Sequence, residues 1–427
     1  MGSRSIGRHH QKQWRITLTR RNLYVPGRPP MLTRRMSRRR ALQTSGLAAG
    51  GLAVLGVAGC GDDDDDQDEA GDEERPSSED ATAAADSTAP AGDVETISFG
   101  FPFGAPFAAA LPDHFVALDL GYFAEEGIDM EIAWQTALLP LITGGTVEYG
   151  RITPVNFMNA LASGQTLKAI FQSEYTFFFG VMVPEDSEIT EFSADQLRGT
   201  TLGITEFAGG EVPVVRALLQ REGLVEGEDV ELFPTSGTSQ QSTVDALQTG
   251  SIAAFAGSYV DFAAIETFGL PLREITPEDV RVLSADDAIG VRADYLGENR
   301  DEAIRLCRGA AKGLIFAAEN PRAAAEISLK YAPESGTVDE VQEFLEIFRT
   351  RRIEPPEGIN FGEVPIDGWE GYMEFLLDGS TGRQDDPLAF DEPLDLTEVI
   401  DNSLVSEIMD FDPEPIRQQA RDYETQS

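Results

Sequence analysis

The sequence predicts an α/β fold with mostly parallel sheets, and three observations carry that expectation. Short apolar runs bounded by turn residues alternate with amphipathic stretches from Thr96 onward. A chain of 427 residues exceeds one ordinary core, and length alone suggests two or three units. A hydrophobic content of 41% is enough to bury a sizeable core.

The elements follow in order. "TISFGF" (96–101) predicts a strand and is followed by a Pro/Gly/Phe-rich turn (102–112). "DHFVALDLGYF" (113–123) has helical spacing with Asp113 as its N-cap. "IDMEIAW" (128–134) alternates apolar and polar, the period of a strand. "PVNFMNALASG" (154–164) predicts a helix opened by Pro154 and closed by Gly164. The apolar runs 167–172 and 176–184 predict buried strands, with Phe177, Phe178 and Phe179 in the core. A second series repeats the alternation: strand 197–205, helix 211–224, strand 229–234, helix 239–250 and strand 252–257. Residues 301–332 form a long helical pattern broken near Asn320-Pro321.

Charge is distributed unevenly. The formal net charge is −41, which excludes nucleic acid as a partner because so acidic a surface repels phosphate. Residues 1–40 nevertheless carry many Arg and neither Asp nor Glu. Gly46 to Gly59 consists only of Gly, Ala, Leu and Val, too short and glycine-rich for a membrane span. A basic region, a short apolar region and small residues in that order predict an export signal over 1–59, with Met36 as an alternative start. Val57-Ala58-Gly59-Cys60 resembles the lipobox of bacterial lipoproteins, which implies a lipidated Cys60 anchored to the membrane. Ser37-Arg38-Arg39-Arg40-Ala41-Leu42 resembles a twin-arginine signal, although Ala41 stands where an aromatic is usual, so Sec export stays open. The acidic Ser/Ala/Pro mixture over 60–95 cannot offset its ordering entropy and is expected to be a disordered tether. Cys307, the remaining cysteine, is expected to be a buried thiol.

Four segments carry a family resemblance: "GYFAEEGIDMEI" (121–132), "ALASGQTLKAI" (160–170), "LRGTTLGITEFAGG" (197–210) and "AAENPRAAAEI" (317–327). In this order and spacing they resemble the nitrate/sulfonate/taurine and thiamine-precursor-binding proteins of ABC transporters. The resemblance covers roughly 96–350 and fades past about 355. It implies a type II periplasmic binding protein fold, two α/β lobes joined by two crossing strands. By analogy lobe 1 is 96–183 with 284–427, lobe 2 is 184–283, and the crossings lie near 180–184 and 282–288. The implied function is an extracytoplasmic, lipid-anchored, monomeric solute-binding protein that delivers a small molecule to an ABC permease.

In such a fold the ligand sits in the cleft, so loops after strands supply the candidates. These are Phe103 and Phe107 around Gly104; Asn156 at a helix start; Glu174 and Tyr175 near the first crossing; Phe207, Gly209, Gly210 and Glu211 before a helix; and Tyr259 and Asp261 after the second-lobe strand. Each has a competing reading: turn chemistry for the glycines, core packing for the aromatics, helix capping for Asn156 and a solvated loop for Tyr259 and Asp261. Trp134 and Trp369 suit either stacking on a planar ligand or packing. Carboxylates and aromatics dominate the set, with Arg151 the main basic neighbour. That mixture favours a heteroaromatic or amine-bearing solute, such as a thiamine pyrimidine precursor, over a sulfonate, nitrate or taurine-type anion.

Enzymes that make the thiamine pyrimidine belong to the same family and use His, a Lys-bound pyridoxal phosphate and iron. This chain offers only His9, His10 and His114, with Lys168, Lys312 and Lys330 beyond the leader. It has no His/Cys cluster with metal-ligand spacing, no Gly-x-Ser-x-Gly elbow and no P-loop, so neither catalysis nor a cofactor is expected. A surface sensor using the same lobes is the other alternative.

Overall fold

The computed structural model describes residues 95–102, 106–135, 137–207, 209–235, 240–352, 354–379 and 388–425. The export signal, Cys60, the tether as far as residue 94 and Phe103 lie outside the described residues. All described residues belong to one compact unit.

Among the described residues ten strands form two five-stranded sheets. The first holds β1 (Glu95–Phe101), β2 (Ile128–Trp134), β3 (Tyr149–Ile152) and β4 (Leu167–Gln172), and the second receives β5 (Phe179–Pro184). β6 (Thr201–Ile204), β7 (Glu231–Pro234), β8 (Ala254–Ser258) and β9 (Leu272–Glu274) complete the second sheet, and β10 (Ala288–Arg292) returns to the first. The orders are β2-β1-β3-β10-β4 and β7-β6-β8-β5-β9. The two sheets therefore share one plan: three parallel strands, then a strand donated from the other half of the chain, then an edge strand.

Four strands of each sheet run the same way, as expected, and the donated strand opposes them: β10 pairs antiparallel with β3 and β4, and β5 with β8 and β9. Each donated strand enters from the opposite end, having just crossed between sheets. The first crossing comes earlier than the expected 180–184: those residues already lie in β5, so the chain passes over within 173–178. The second crossing runs through 282–287, as the sequence suggests.

Helix predictions differ mainly at the ends. The stretch 113–123 is two helices, Pro112–Asp119 and Tyr122–Glu125, separated at Gly121, whose φ of +79° ends the first. Leu111, not Asp113, is the N-cap, and Asp113 is buried within the first turn. Arg300–Glu319 and Pro321–Tyr331 break where expected, with Asn320 accepting the Ala323 N–H as cap. Cys307 is fully buried in the first of these helices, and burial pushes its thiol well above the ordinary range. Phe177 and Phe179 are buried in the core and Phe178 packs against it.

Candidate functional site

In the second lobe the loop after β6 and the helix start after β8 meet. β6 ends at Ile204, and Thr205 leads through Phe207 and the glycines into the helix Glu211–Arg221. Gly210 is required by close approach, since a Cβ there would stand 2.5 Å from the Phe179 ring. The Glu211 carboxylate folds back over Gly209 and accepts the Thr205 N–H at 2.8 Å and the Thr205 hydroxyl. Glu211 is 3% exposed. Burial raises its pKa to about 6 against the opposing pull of the Thr205 hydrogen bonds, and the Asp261 charge adds to the rise. Phe207, by contrast, on the same turn, is 53% exposed, a large apolar ring open to solvent.

Asp261 and Ser258 form a capping box on the helix Tyr259–Thr267: Asp261 Oδ2 accepts the Ser258 N–H (2.9 Å) and hydroxyl (2.6 Å), and the Ser258 hydroxyl oxygen accepts the Asp261 N–H. Asp261 thus fixes the strand-to-helix turn beside Glu211 rather than lying in a solvated loop. Tyr259 is buried, donates its hydroxyl to Glu274 at 2.7 Å and packs edge-on against Phe262.

The first-lobe candidates form a different kind of cluster. Arg151, at the end of β3, donates to Asp113 at 2.9 Å and stands 4.0 Å from Glu174 in the first crossing. Asp286 and Asp287 in the second crossing act on the same guanidinium. Burial alone would raise Asp113, but His114 and Arg151 outweigh it and hold the carboxyl well below the usual range. His114 is fully buried, packed between Phe99 (4.2 Å) and Phe123 (5.8 Å), a core position rather than a catalytic one. Arg151, the basic neighbour singled out in the sequence, is therefore already surrounded by carboxylates.

The remaining described candidates make contacts within the protein. Tyr175 is buried, with its hydroxyl donating to the Gln172 carbonyl and accepting the Gly362 N–H. Phe107 is half-buried edge-on against Phe344. Asn156 offers its N–H to Thr153, the true cap of that helix. Trp369 is fully buried, and Trp134 packs on Phe101 and Phe115. Sequence reasoning missed Thr205 and the Asp113–Arg151 pair; a hydroxyl six residues before an acid carries no recognisable signature.

Two cavities of about 450 and 550 Å³ lie elsewhere, one beside Arg221 and Arg281, the other beside Thr143 and Arg292. Among the described residues no cluster of His, Cys, Asp and Glu is arranged to hold a metal, and no helix is long and apolar enough to cross a membrane.

Comparison with known proteins follows the same lines. Residues 112–324 match the NMT1/THI5-like family model. A formylaminopyrimidine-binding protein from Halalkalibacterium halodurans is 23% identical over 270 residues, 61% of this chain and 79% of the relative. A Bordetella bronchiseptica protein of known structure superposes with a TM-score of 0.54 at 18% identity, covering 73% of this chain and 96% of that one. The periplasmic aliphatic sulphonate-binding protein of Escherichia coli gives 0.51 at 13% identity, covering 67% and 85%. Residues 112–324 thus resemble the NMT1/THI5-like family, and the chain is built on the periplasmic binding protein fold.

Proposed function

We propose that this chain is a solute-binding protein of an ABC importer, capturing an amine-bearing heteroaromatic solute of pyrimidine type between its two lobes. The observation that carries this reading is that the turn from β6 into the helix Glu211–Arg221 carries both an exposed ring, Phe207, and a buried carboxyl, Glu211. A carboxyl of this kind accepts hydrogen bonds from a ring amine while an aromatic face covers the ring. An anionic ligand has less to gain, because Arg151 is already compensated by Asp113 and Glu174. The relative that binds formylaminopyrimidine supports the same ligand class.

In this reading the first lobe comprises 95–172 with 288–427 and the second 179–282, joined by the two crossings. Residues 60–94 tether the lobes to a lipidated Cys60 on the outer face of the membrane, where a monomer hands its ligand to the permease. Isothermal titration of the purified chain with formylaminopyrimidine and with an alkanesulfonate series tests the ligand. Saturable heat is expected with the pyrimidine and none with the sulfonates; sulfonate binding alone overturns the assignment.

A further inference from the structure

The segment 359–379 is the part of the chain for which the sequence suggests no role, and it touches both lobes and both crossings. Its centre is Gln172, the last residue of β4, which is fully buried. The Gln172 side-chain amide donates to the carbonyl of Glu174 in the first crossing (2.8 Å) and to that of Ser284 in the second (3.1 Å). Its carbonyl oxygen accepts the indole N–H of Trp369 at 2.9 Å. One side chain thereby fastens three separate segments.

The backbone repeats the connection. The Gln172 N–H donates to the Gly362 carbonyl, and the Tyr175 hydroxyl bridges the Gln172 carbonyl and the Gly362 N–H. From there the helix Ile366–Gly379 runs over the second crossing, where Gly368 lies against Ser284 closely enough that a Cβ would meet it at 3.2 Å. Trp369 packs on Phe157 of the first lobe at 5.4 Å, and Tyr372 packs edge-on against Phe177 of the first crossing at 5.0 Å. The far end reaches the second lobe: the Arg221 guanidinium covers the Phe375 ring at 5.6 Å, and Gly379 sits directly on Ala217.

We propose that the helix Ile366–Gly379 is a third, non-covalent crossing, and that Gln172 is the joint where it and the two chain crossings are fastened. Lobe closure in a binding protein is a hinge motion in which a few residues between the lobes absorb the rotation. Here the rotation also has to pass through a helix held at both ends. The two ends differ. The Trp369 end is buried and hydrogen-bonded, so releasing it strands an N–H and an amide oxygen away from water. The Gly379 end packs by apolar contact on the helix Glu211–Arg221, with buried Phe375 and Leu376 in the same core and Gly379 on Ala217. Opening therefore slides the helix along Ala217 while the Gln172 joint stays closed, and the helix limits how far the lobes separate. Gln172 acts as a positioning residue that never touches the solute.

The proposal rests on the reading that the lobes close on a solute, and the test separates the two. Spin labels at Asp129→Cys and Glu228→Cys, both exposed and one in each lobe, report the distance between lobes in the full chain carrying Cys60→Ser, with Cys307 buried and unlabelled. The measurement is made without ligand. Trp369→Phe keeps the ring and deletes the N–H; Gly379→Leu drives the far end off Ala217. Each is expected to at least double the width of the distance distribution, with secondary structure unchanged by circular dichroism. An unchanged width in either folded variant overturns the strap, and the two variants act at opposite ends, so loss of folding in one leaves the other decisive. The solute reading fails separately, if formylaminopyrimidine leaves the distance in the unsubstituted lobes unaltered.

Discussion

Asp113 in the first lobe and Glu211 in the second are both carboxylic acids, each 3% exposed, and the fold treats them in opposite ways. Asp113 has a guanidinium 2.9 Å away and an imidazole beside it, so it is held ionised. Among the described residues Glu211 has neutral donors, from Thr205 and its own backbone N–H, and a second acid, Asp261, nearby; burial raises its pKa to about 6. A buried charge with its counter-charge belongs to the architecture. A buried acid without one is a group kept ready for something else, and that is the stronger reason to place a ligand in the second lobe.

The contrast can be broken from either side. The largest effect is expected at Arg151: Arg151→Met leaves Asp113 and Glu174 buried without their counter-ion, costing about 3–5 kcal/mol in urea unfolding. Glu211→Gln is expected to act in the opposite direction. Because its folded pKa lies above the ordinary 4.5, the unfolded chain binds fewer protons between these values, and stability falls as pH rises through about 4.5 to 6. The substitution should therefore raise stability at pH 8 by up to about 2 kcal/mol, with no gain below pH 4.5, while abolishing pyrimidine binding. A gain in stability with binding intact would show that Glu211 is not a ligand contact. Asp113 carries the reverse sign. Its folded pKa is depressed, so the stability it contributes is lost as pH falls below its ordinary 3.8, visible as acid unfolding that Asp113→Asn shifts. The smallest effect is expected at the capping box, where Ser258→Ala should cost about 1 kcal/mol because the hydroxyl no longer donates to the Asp261 carboxylate or accepts the Asp261 N–H.

These acids also mark how far a sequence can be read. Glu211 was recognisable as a candidate because a Gly-Gly pair precedes it at a helix start, a local signal. Its burial, which gives it its chemistry, was not, since that depends on Phe179 arriving from another strand. Asp113 was misread as a helix cap because its partner lies 38 residues away on β3. Asp261 is a ligand candidate with a solvated loop as its competing reading, although the Ser258-x-x-Asp261 spacing already matches a capping box. Tyr175, a candidate for its place near the first crossing, and Trp369, suited to stacking or to packing, commit their hydroxyl and indole N–H to bonds between distant segments.

The sequence by itself determined most of the alternating strands and helices, the break at Asn320-Pro321, the second crossing and the family the chain resembles. Each rests on side-chain period, backbone restriction or short ordered motifs, and so acts over a few residues. Only the tertiary structure decided that 179–184 joins the second sheet, that the sheets are mixed, and that Arg151 is compensated while Glu211 is not. It also decided that the C-terminal helix fastens to Gln172. Strand partners, counter-ions and hydrogen bonds between segments are contacts across long chain separations, and local sequence carries no period or spacing that encodes them.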